Sequence, residues 1–172
     1  MNHRCVNWEM RELNLQERKI VFDGRIVIDR PLREVFVFTS DYRNDRLWRE
    51  ETVDVRYITP EPIGPGSQCL EIARIWGSKL ETWSEVSRFV QDDVMISESY
   101  KAQLPLIMTR QVLELAEGTQ FYYRVELDVC RAMWLRRLKP LYQRSRQRAF
   151  IRNLTKLKQL LEQNSSKGWD DR

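Results

Sequence analysis

The side chains best suited to chemistry lie near the carboxyl end of the chain, where one predicted helix carries Arg146 and Asn153. They are about two helical turns apart, and both interrupt a stripe that is otherwise apolar. Burying such a group without a partner costs roughly 1–3 kcal/mol. Three interpretations follow. In the first, Arg146 pairs with a strand carboxylate such as Glu71. In the second, its aliphatic stem extends along the helix so that the guanidinium reaches solvent at the helix edge. In the third, both side chains face a space filled with water or ligand.

Histidine chemistry is excluded from most of the chain, because the only histidine is His3. This excludes a Ser-His-Asp triad, a Cys-His pair and a histidine-rich metal site. Catalysis would have to use carboxylates, lysine, tyrosine or arginine. The carboxylate candidates are Asp41, Glu71, Glu85 and Glu98, and each is interpreted as a surface charge because nothing in the sequence indicates burial. We expect no metal and no cofactor.

The composition predicts a single globular domain. The chain has 172 residues, of which 42% are apolar and 31% charged, unlike a disordered or membrane protein. No apolar run approaches the roughly 20 residues of a membrane span, and the polar N-terminus lacks a secretory signal, so we expect the cytoplasm. Cys5, Cys69 and Cys130 are odd in number and far apart, which predicts buried or half-buried thiols rather than disulfides.

Alternation of apolar and polar residues predicts a sheet of six or seven strands. The first strand begins at Lys19 and places Phe22, Gly24, Ile26 and Ile28 on one face. Further strands are predicted at about 51–59, 67–76, 79–90, 94–101, 106–115 and 119–129. Short strands in succession, joined by tight turns, indicate an antiparallel meander.

The faces of these strands predict which side lines the interior. Mixed apolar and polar residues are predicted to point inward in three strands: Leu70, Ile72 and Arg74; Thr82, Ser84 and Val86; Thr109, Gln111 and Leu113. The last strand alternates cleanly, with Phe121, Tyr123, Val125 and Leu127 on one face. Mixed inner faces suggest a pocket more than a solid core, although a one-residue error in register would exchange the faces.

Helical periodicity predicts two short helices after the first strand, at 31–40 and about 44–49, and a long one at 139–162. Pro31 suits the first helical position, because its missing N–H would have no partner there. The apolar stripe of the long helix consists of Tyr142, Ala149, Phe150, Leu154, Leu157, Leu160 and Leu161.

These elements together predict an α+β domain over residues 19–162, in which a curved antiparallel sheet wraps around the C-terminal helix. Residues 1–18 are predicted to form a loosely attached arm, and residues 163–172 a disordered tail.

A series of short motifs supports this architecture. They are Ile28-Asp-Arg-Pro31, Glu34-Val35-Phe36, Asp41, Asn44, Trp48, Ile63-Gly-Pro-Gly66, Gly118-Thr119 and Leu154-Thr-Lys-Leu157-Lys-Gln-Leu-Leu161-Glu162. In this order they resemble the polyketide cyclase/dehydrase and lipid-transport family of the START-like (SRPBCC) helix-grip superfamily. The resemblance extends from about Lys19 to Glu162. It implies a helix-grip fold with a deep cavity that binds lipids, sterols, polyketides, quinones or plant hormones in different relatives. Some relatives catalyse ring closure or dehydration, and the resemblance transfers no catalytic residue.

The interrupted helix stripe predicts a cavity that binds a small hydrophobic molecule, as in a carrier or binding protein. The predicted ligand-binding residues are Leu70, Ile72, Val86, Leu113, Tyr123, Tyr142, Arg146, Ala149, Phe150 and Asn153. The alternative is a polyketide cyclase or dehydratase, in which Arg146 polarises a carbonyl and Tyr142 or a strand carboxylate moves a proton. A third hypothesis is an adaptor whose pocket is vestigial.

Positive charge is concentrated near the C-terminus. Residues 1–130 hold 17 basic and 22 acidic side chains, whereas residues 131–162 hold 10 basic side chains and one acid, Glu162. The basic helix face could dock on an anionic membrane, contact RNA or a protein, or remain solvated and pair with the acidic strands. Nucleic acid is not favoured, because no RNA-reading motif is found.

Two aromatic motifs have open interpretations. Met133-Trp134-Leu135 should lie near the mouth of the cavity, as a gate or as a cap on the core. Trp76 and Trp83 form either an exposed patch for a partner or a cross-strand packing pair.

Overall fold

The computed structural model describes residues 19–129 and 139–163, and it is α+β. The predicted arm (1–18) lies outside the described residues, and so does the predicted tail (163–172) except for Gln163, which is helical and not part of a tail. The segment 130–138 also lies outside them.

The described residues form seven strands and three α-helices, confirming the predicted fold class. The strands are β1 (Lys19–Ile28), β2 (Thr52–Tyr57), β3 (Gln68–Ile75), β4 (Ser78–Val90), β5 (Val94–Ala102), β6 (Leu106–Leu115) and β7 (Gly118–Asp128). The helices are α1 (Leu32–Ser40), α2 (Asp45–Trp48) and α3 (Lys139–Gln163), with a 3₁₀ turn at Tyr42–Asn44. One detail of the prediction is wrong. Pro31 precedes helix α1 as its cap, with an extended ψ of 142°, and is not its first helical residue.

All seven strands belong to one antiparallel sheet in the order β1-β7-β6-β5-β4-β3-β2. This order places the first and last strands side by side and leaves β1 and β2 as the edges of the sheet. The sheet curls around the long helix, so that strands and helix line a common space. The β1 edge is covered by α3, because the Gln147 side chain donates to the Asp23 carbonyl at 2.9 Å and Lys158 donates to the Val27 carbonyl at 2.6 Å. Side-chain donors therefore occupy edge carbonyls that could otherwise pair with another chain.

Helix α3 packs against β1 at close range. A Cβ atom added to Gly24 would lie 2.7 Å from Cδ1 of Leu154, so the glycine makes room for the helix. Beyond this point Leu154, Leu157 and Leu161 are buried and pack in the solid part of the core. The apolar stripe predicted from helical periodicity therefore faces the sheet.

The predicted inward faces are correct in two strands and wrong in two others. In β4, Ser84 and Val86 are buried, and in β7 the residues Phe121, Tyr123 and Leu127 are buried, as predicted.

Strands β3 and β6 are shifted by one residue from the prediction. In β3 the inward residues are Cys69, Glu71, Ala73 and Ile75, so Leu70, Ile72 and Arg74 point outward. In β6 the inward residues are Met108, Arg110 and Val112, so Thr109, Gln111 and Leu113 point outward, and Leu113 is 55% exposed. Both errors have the same cause. A charged side chain points inward, where a residue of opposite charge meets it.

Candidate functional site

A cavity lies between the concave face of the sheet and the first half of α3. The space inside it that is open to water measures about 80 Å³, which is room for several water molecules at roughly 10–15 Å³ each. Much of its lining is apolar, including Phe22, Leu80, Leu104, Leu106, Tyr123 and Phe150. The rings of Tyr123 and Phe150 stack with centroids 4.9 Å apart, so one wall is aromatic.

One side of this cavity is charged. Arg49, Glu51, Glu71 and Arg146 all line it, and we refer to them as the cavity quartet. Arg49 binds both oxygens of Glu71, at 3.1 Å through Nη1 and 2.9 Å through Nη2. Arg146 Nη2 lies 3.3 Å from Glu51 Oε1, and Arg49 Nε lies 3.4 Å from the same oxygen. Two cations and two anions therefore share one wall.

Asn153 stabilises the cavity quartet through hydrogen bonds, although it does not line the cavity. Its amide nitrogen donates to Glu51 Oε2 at 2.9 Å, and its amide oxygen accepts from the backbone N–H of Glu50 at 3.2 Å. Asn153 is buried and does not line the cavity. The sequence leaves open whether the two polar residues in the helix stripe pair with protein groups or face a space. Asn153 pairs with protein groups. Arg146 both lines the cavity and pairs with a carboxylate, which is Glu51 and not Glu71.

A second pair of buried charges lies beside the quartet, and we refer to Arg110 and Asp45 as the sealed pair. Arg110 donates to both carboxylate oxygens of Asp45 and to the backbone carbonyl of Thr39. Its guanidinium carbon lies 4.3 Å from the ring centroid of Tyr42 and 5.4 Å from that of Tyr123. Arg49 joins the two groups, because its Nη1 lies 2.9 Å from Asp45 Oδ2.

The surroundings set the protonation states. Burial alone would lower the pKa of Arg110, but Asp45 raises it above its ordinary value. Burial also acts to raise the pKa of Glu51, yet Arg49, Arg146 and Asn153 outweigh it and lower that pKa. Burial raises the pKa of Tyr123 to about 12 and also raises the pKa of Tyr142. At neutral pH the tyrosines are proton donors, and Glu51 is ionised.

The structure brings together four of the predicted ligand-binding residues, since Tyr123, Tyr142, Arg146 and Phe150 all line the cavity. Val86 and Ala149 are buried without lining the cavity, as Asn153 is. The outward-facing Leu70, Ile72 and Leu113 are not part of the lining.

The four predicted acid–base candidates lie in different places in the structure. Asp41 binds Arg43 at the start of the 3₁₀ turn, and Glu85 and Glu98 are exposed. Glu71 is buried in the cavity wall, so its interpretation as a surface charge is wrong. Sequence reasoning missed Arg49, Glu51 and Arg110. The run Arg49-Glu50-Glu51 has the composition of a surface loop, and no periodicity marks it as buried.

The aromatic residues near the rim have different neighbours. Trp76 is 57% exposed at the β3–β4 turn, and its ring meets the cavity-lining Tyr142 edge to face at 5.2 Å. Trp83 is half-buried, with Lys101 Nζ at 4.2 Å from its ring centroid. Met133-Trp134-Leu135 lies outside the described residues, as do Cys5 and Cys130. Cys69 is buried, and burial raises the pKa of its thiol to about 12.

The outer face of α3 is exposed and basic. It presents Arg144, Arg148, Arg152 and Lys156, with Leu141 and Ile151 exposed among them. Arg152 pairs with Glu50 at 3.2 Å, while the other three form no ion pair within the part of the chain that the structure describes. Pairing with the acidic part of the domain thus accounts for one of these four charges. No helix within residues 19–129 and 139–163 is long and apolar enough to cross a membrane.

Comparison with known proteins identifies the fold. No family model matches the chain, and no curated protein matches it. Among solved structures, it is similar to the protein TTHA0849 from Thermus thermophilus, with a TM-score of 0.73 and 17% identity over 85% of this chain and 99% of that one. A START superfamily protein from Mycobacterium smegmatis matches with a TM-score of 0.65 and 12% identity, over 84% of this chain and 99% of that one.

The di-domain ARO/CYC protein BexL of the BE-7585A biosynthetic pathway matches with a TM-score of 0.65 and 17% identity. The match covers 92% of this chain and 59% of BexL. These similarities confirm the fold that the sequence motifs imply, which this chain shares with the START superfamily protein and with the di-domain ARO/CYC protein. At such low identities they establish the fold alone.

Proposed function

We propose that this protein binds a small apolar molecule in the cavity between its sheet and α3, as a carrier or binding protein. The observation that carries the proposal is the cavity itself, a largely apolar hollow with a few convergent polar groups on one wall. Small-molecule sites have this composition, and a solid core does not. The START-like fold of the neighbouring structures is consistent with it.

The dimensions of the cavity favour a compact ligand over a long acyl chain. Its volume of about 80 Å³ is smaller than the roughly 150 Å³ of an enclosed cavity that holds benzene, so one ring is the upper limit and part of the ligand must extend toward the open rim. The aromatic wall formed by Tyr123 and Phe150 favours a flat ring, because stacked aromatic pairs contribute about 0.5–1.5 kcal/mol beyond burial alone.

Filling the hollow tests the proposal. Ala73 lines the cavity from β3, so Ala73→Phe should occupy the space that a ligand needs. We expect toluene to bind the wild-type protein in calorimetric titration and to lose at least about tenfold in affinity in the variant. Ala116→Phe, at an exposed turn residue, is the matched control and should bind as the wild type does. Equal toluene binding by the wild type and a folded Ala73→Phe variant would contradict the proposal.

An enzyme of the cyclase or dehydratase type is the second candidate, and one observation favours it. Tyr142 and Arg146 both line the cavity, with the carboxylates Glu51 and Glu71 on the same wall. The guanidinium could polarise a ketone oxygen while a neighbouring group moves a proton from the adjacent carbon. A linear triketone would then close to an aromatic ring with loss of one water.

The reaction separates the two candidates. Incubation with heptanetrione, followed by mass spectrometry, should yield dihydroxytoluene if the protein is a cyclase, and Arg146→Met should abolish the product. Toluene binding without turnover of the triketone would leave carriage as the function.

A further inference from the structure

The charged wall of the cavity has spare hydrogen-bond donors. Arg146 makes one ion pair, to Glu51 at 3.3 Å, and its other donors bind no residue within the described chain. Tyr142 is 3% exposed and lines the cavity, and its hydroxyl has no hydrogen-bond partner among the described residues. Because these donors face the cavity and not the packed core, an apolar ligand that displaces their solvent leaves them unpaired, whereas a ligand with an acceptor atom there does not.

The same wall has no spare charge. Arg49 is bound by Glu71 through two contacts, and Glu51 lies between Arg49 and Arg146. Including the sealed pair, three arginines face three carboxylates. A carboxylate ligand would add a fourth anion next to Glu51, in surroundings that already disfavour unpaired charge.

We infer that the cavity selects a ligand with one neutral oxygen group, such as a phenol, an enol or a ketone, and rejects the corresponding carboxylate. The inference rests on the proposed function, because it names the class of ligand for the same cavity. The oxygen accepts from Arg146 and Tyr142, and the apolar body lies against Phe22, Tyr123 and Phe150. Glu51 is the residue that determines specificity, because it neutralises Arg146.

Three matched probes test this inference at neutral pH. Toluene, p-cresol and p-toluate share one ring and one methyl group, and they differ in having no oxygen group, a neutral hydroxyl or a carboxylate. In calorimetric titration of the wild-type protein we expect p-cresol to bind about three- to tenfold more tightly than toluene. We expect p-toluate to bind at least about tenfold more weakly than p-cresol.

Two variants locate the effect. Arg146→Met should reduce p-cresol affinity to that of toluene. Glu51→Gln should release the Arg146 charge and raise p-toluate affinity relative to toluene affinity by about tenfold or more. Glu98→Gln removes an exposed carboxylate on β5 and should leave all three affinities at wild-type values.

The wild-type protein alone decides the inference if a variant fails to fold. Binding of p-toluate as tight as that of p-cresol overturns it. Equal binding of toluene and p-cresol also overturns it, yet leaves the apolar cavity and the proposed function standing. Failure of both toluene and p-cresol to bind removes the proposed function together with the inference.

Discussion

The sealed pair and the cavity quartet are two groups of buried charges that touch each other and differ in what surrounds them. Arg110 and Asp45 lie among aromatic rings, and every oxygen of Asp45 is bound. The quartet lines an open hollow, and the unbound donors of Arg146 belong to that lining, whereas the unbound Nε of Arg110 is buried. The difference separates two uses of buried charge. In the packed interior, opposite charges connect secondary-structure elements. Next to the cavity, they form a polar surface that a ligand can contact.

The sealed pair connects elements that are distant in sequence. Arg110 lies on β6, Asp45 is the first residue of α2, and the Thr39 carbonyl lies in the last turn of α1. A pair of this kind is costly to bury and still more costly to break, because the remaining charge then has no partner.

The largest effect in this comparison is expected from Arg110→Met. It leaves Asp45 buried with only Arg49, and we expect unfolding free energy to fall by about 3–5 kcal/mol. Urea unfolding followed by circular dichroism measures this loss. Arg124→Met is the control, because its partner Glu126 is half-buried, and its effect should stay within about 1 kcal/mol. Similar losses in the two variants would contradict the assignment of the sealed pair to stability.

The next effect concerns the pH dependence of stability through Glu51. Its pKa is lower in the folded protein than the ordinary 4.5, since Arg49, Arg146 and Asn153 outweigh burial. A carboxyl with a lowered pKa stabilises the fold above its ordinary pKa, and this contribution disappears as the pH falls through the lowered value.

Unfolding of the wild type and of Glu51→Gln at a series of pH values from about 6 to about 3 measures this contribution. We expect the wild-type advantage over Glu51→Gln to be larger at the upper end and to shrink as the pH falls. An advantage that grows toward acid pH would mean that Glu51 is not held ionised by its neighbours.

A smaller effect should follow from Tyr142→Phe, which removes only the unpartnered hydroxyl. We expect p-cresol affinity to fall by about three- to tenfold with toluene affinity unchanged. Unfolding free energy should change by less than about 1 kcal/mol, because no hydrogen bond within the described chain is lost. A loss of stability without a change in p-cresol binding would place Tyr142 with the core residues and not with the ligand wall.

The smallest effect on stability is expected from exposed charge. Arg144→Gln combined with Arg148→Gln should change unfolding free energy by less than about 0.5 kcal/mol, because neither arginine is paired with a described residue. The interpretation that this face docks on an anionic membrane, one of those left open by the sequence, is tested with the same variant. If it docks, wild-type protein floats with vesicles of phosphatidylserine at low salt, and the variant floats less. No flotation of the wild type would eliminate membrane docking.

Much of the fold could be predicted from the sequence, because each element carries its own period. Alternation in β7 and the apolar stripe of α3 both correspond to buried faces in the structure. Arg146 and Asn153 are recognisable as candidates for the same reason, since two polar residues stand out in a long helical stripe.

The rest of the site could not be predicted, because buried charge inverts the pattern on which sequence reasoning depends. Glu71 and Arg110 point inward within strands, and this shifts the predicted inner faces of β3 and β6 by one residue. Each is buried only because its partner comes from a distant part of the sequence: Arg49 for Glu71 and Asp45 for Arg110. No local rule connects residues 22 or 65 positions apart.

A crystal structure of the protein grown with p-cresol tests the central claim most directly. We predict density for the ring between Phe150 and the cavity-lining residues of β3 and β4, with the phenol oxygen within hydrogen-bond distance of Arg146 or Tyr142. The claim is contradicted if side chains fill the space between the sheet and the first half of α3, and p-cresol is absent or bound elsewhere.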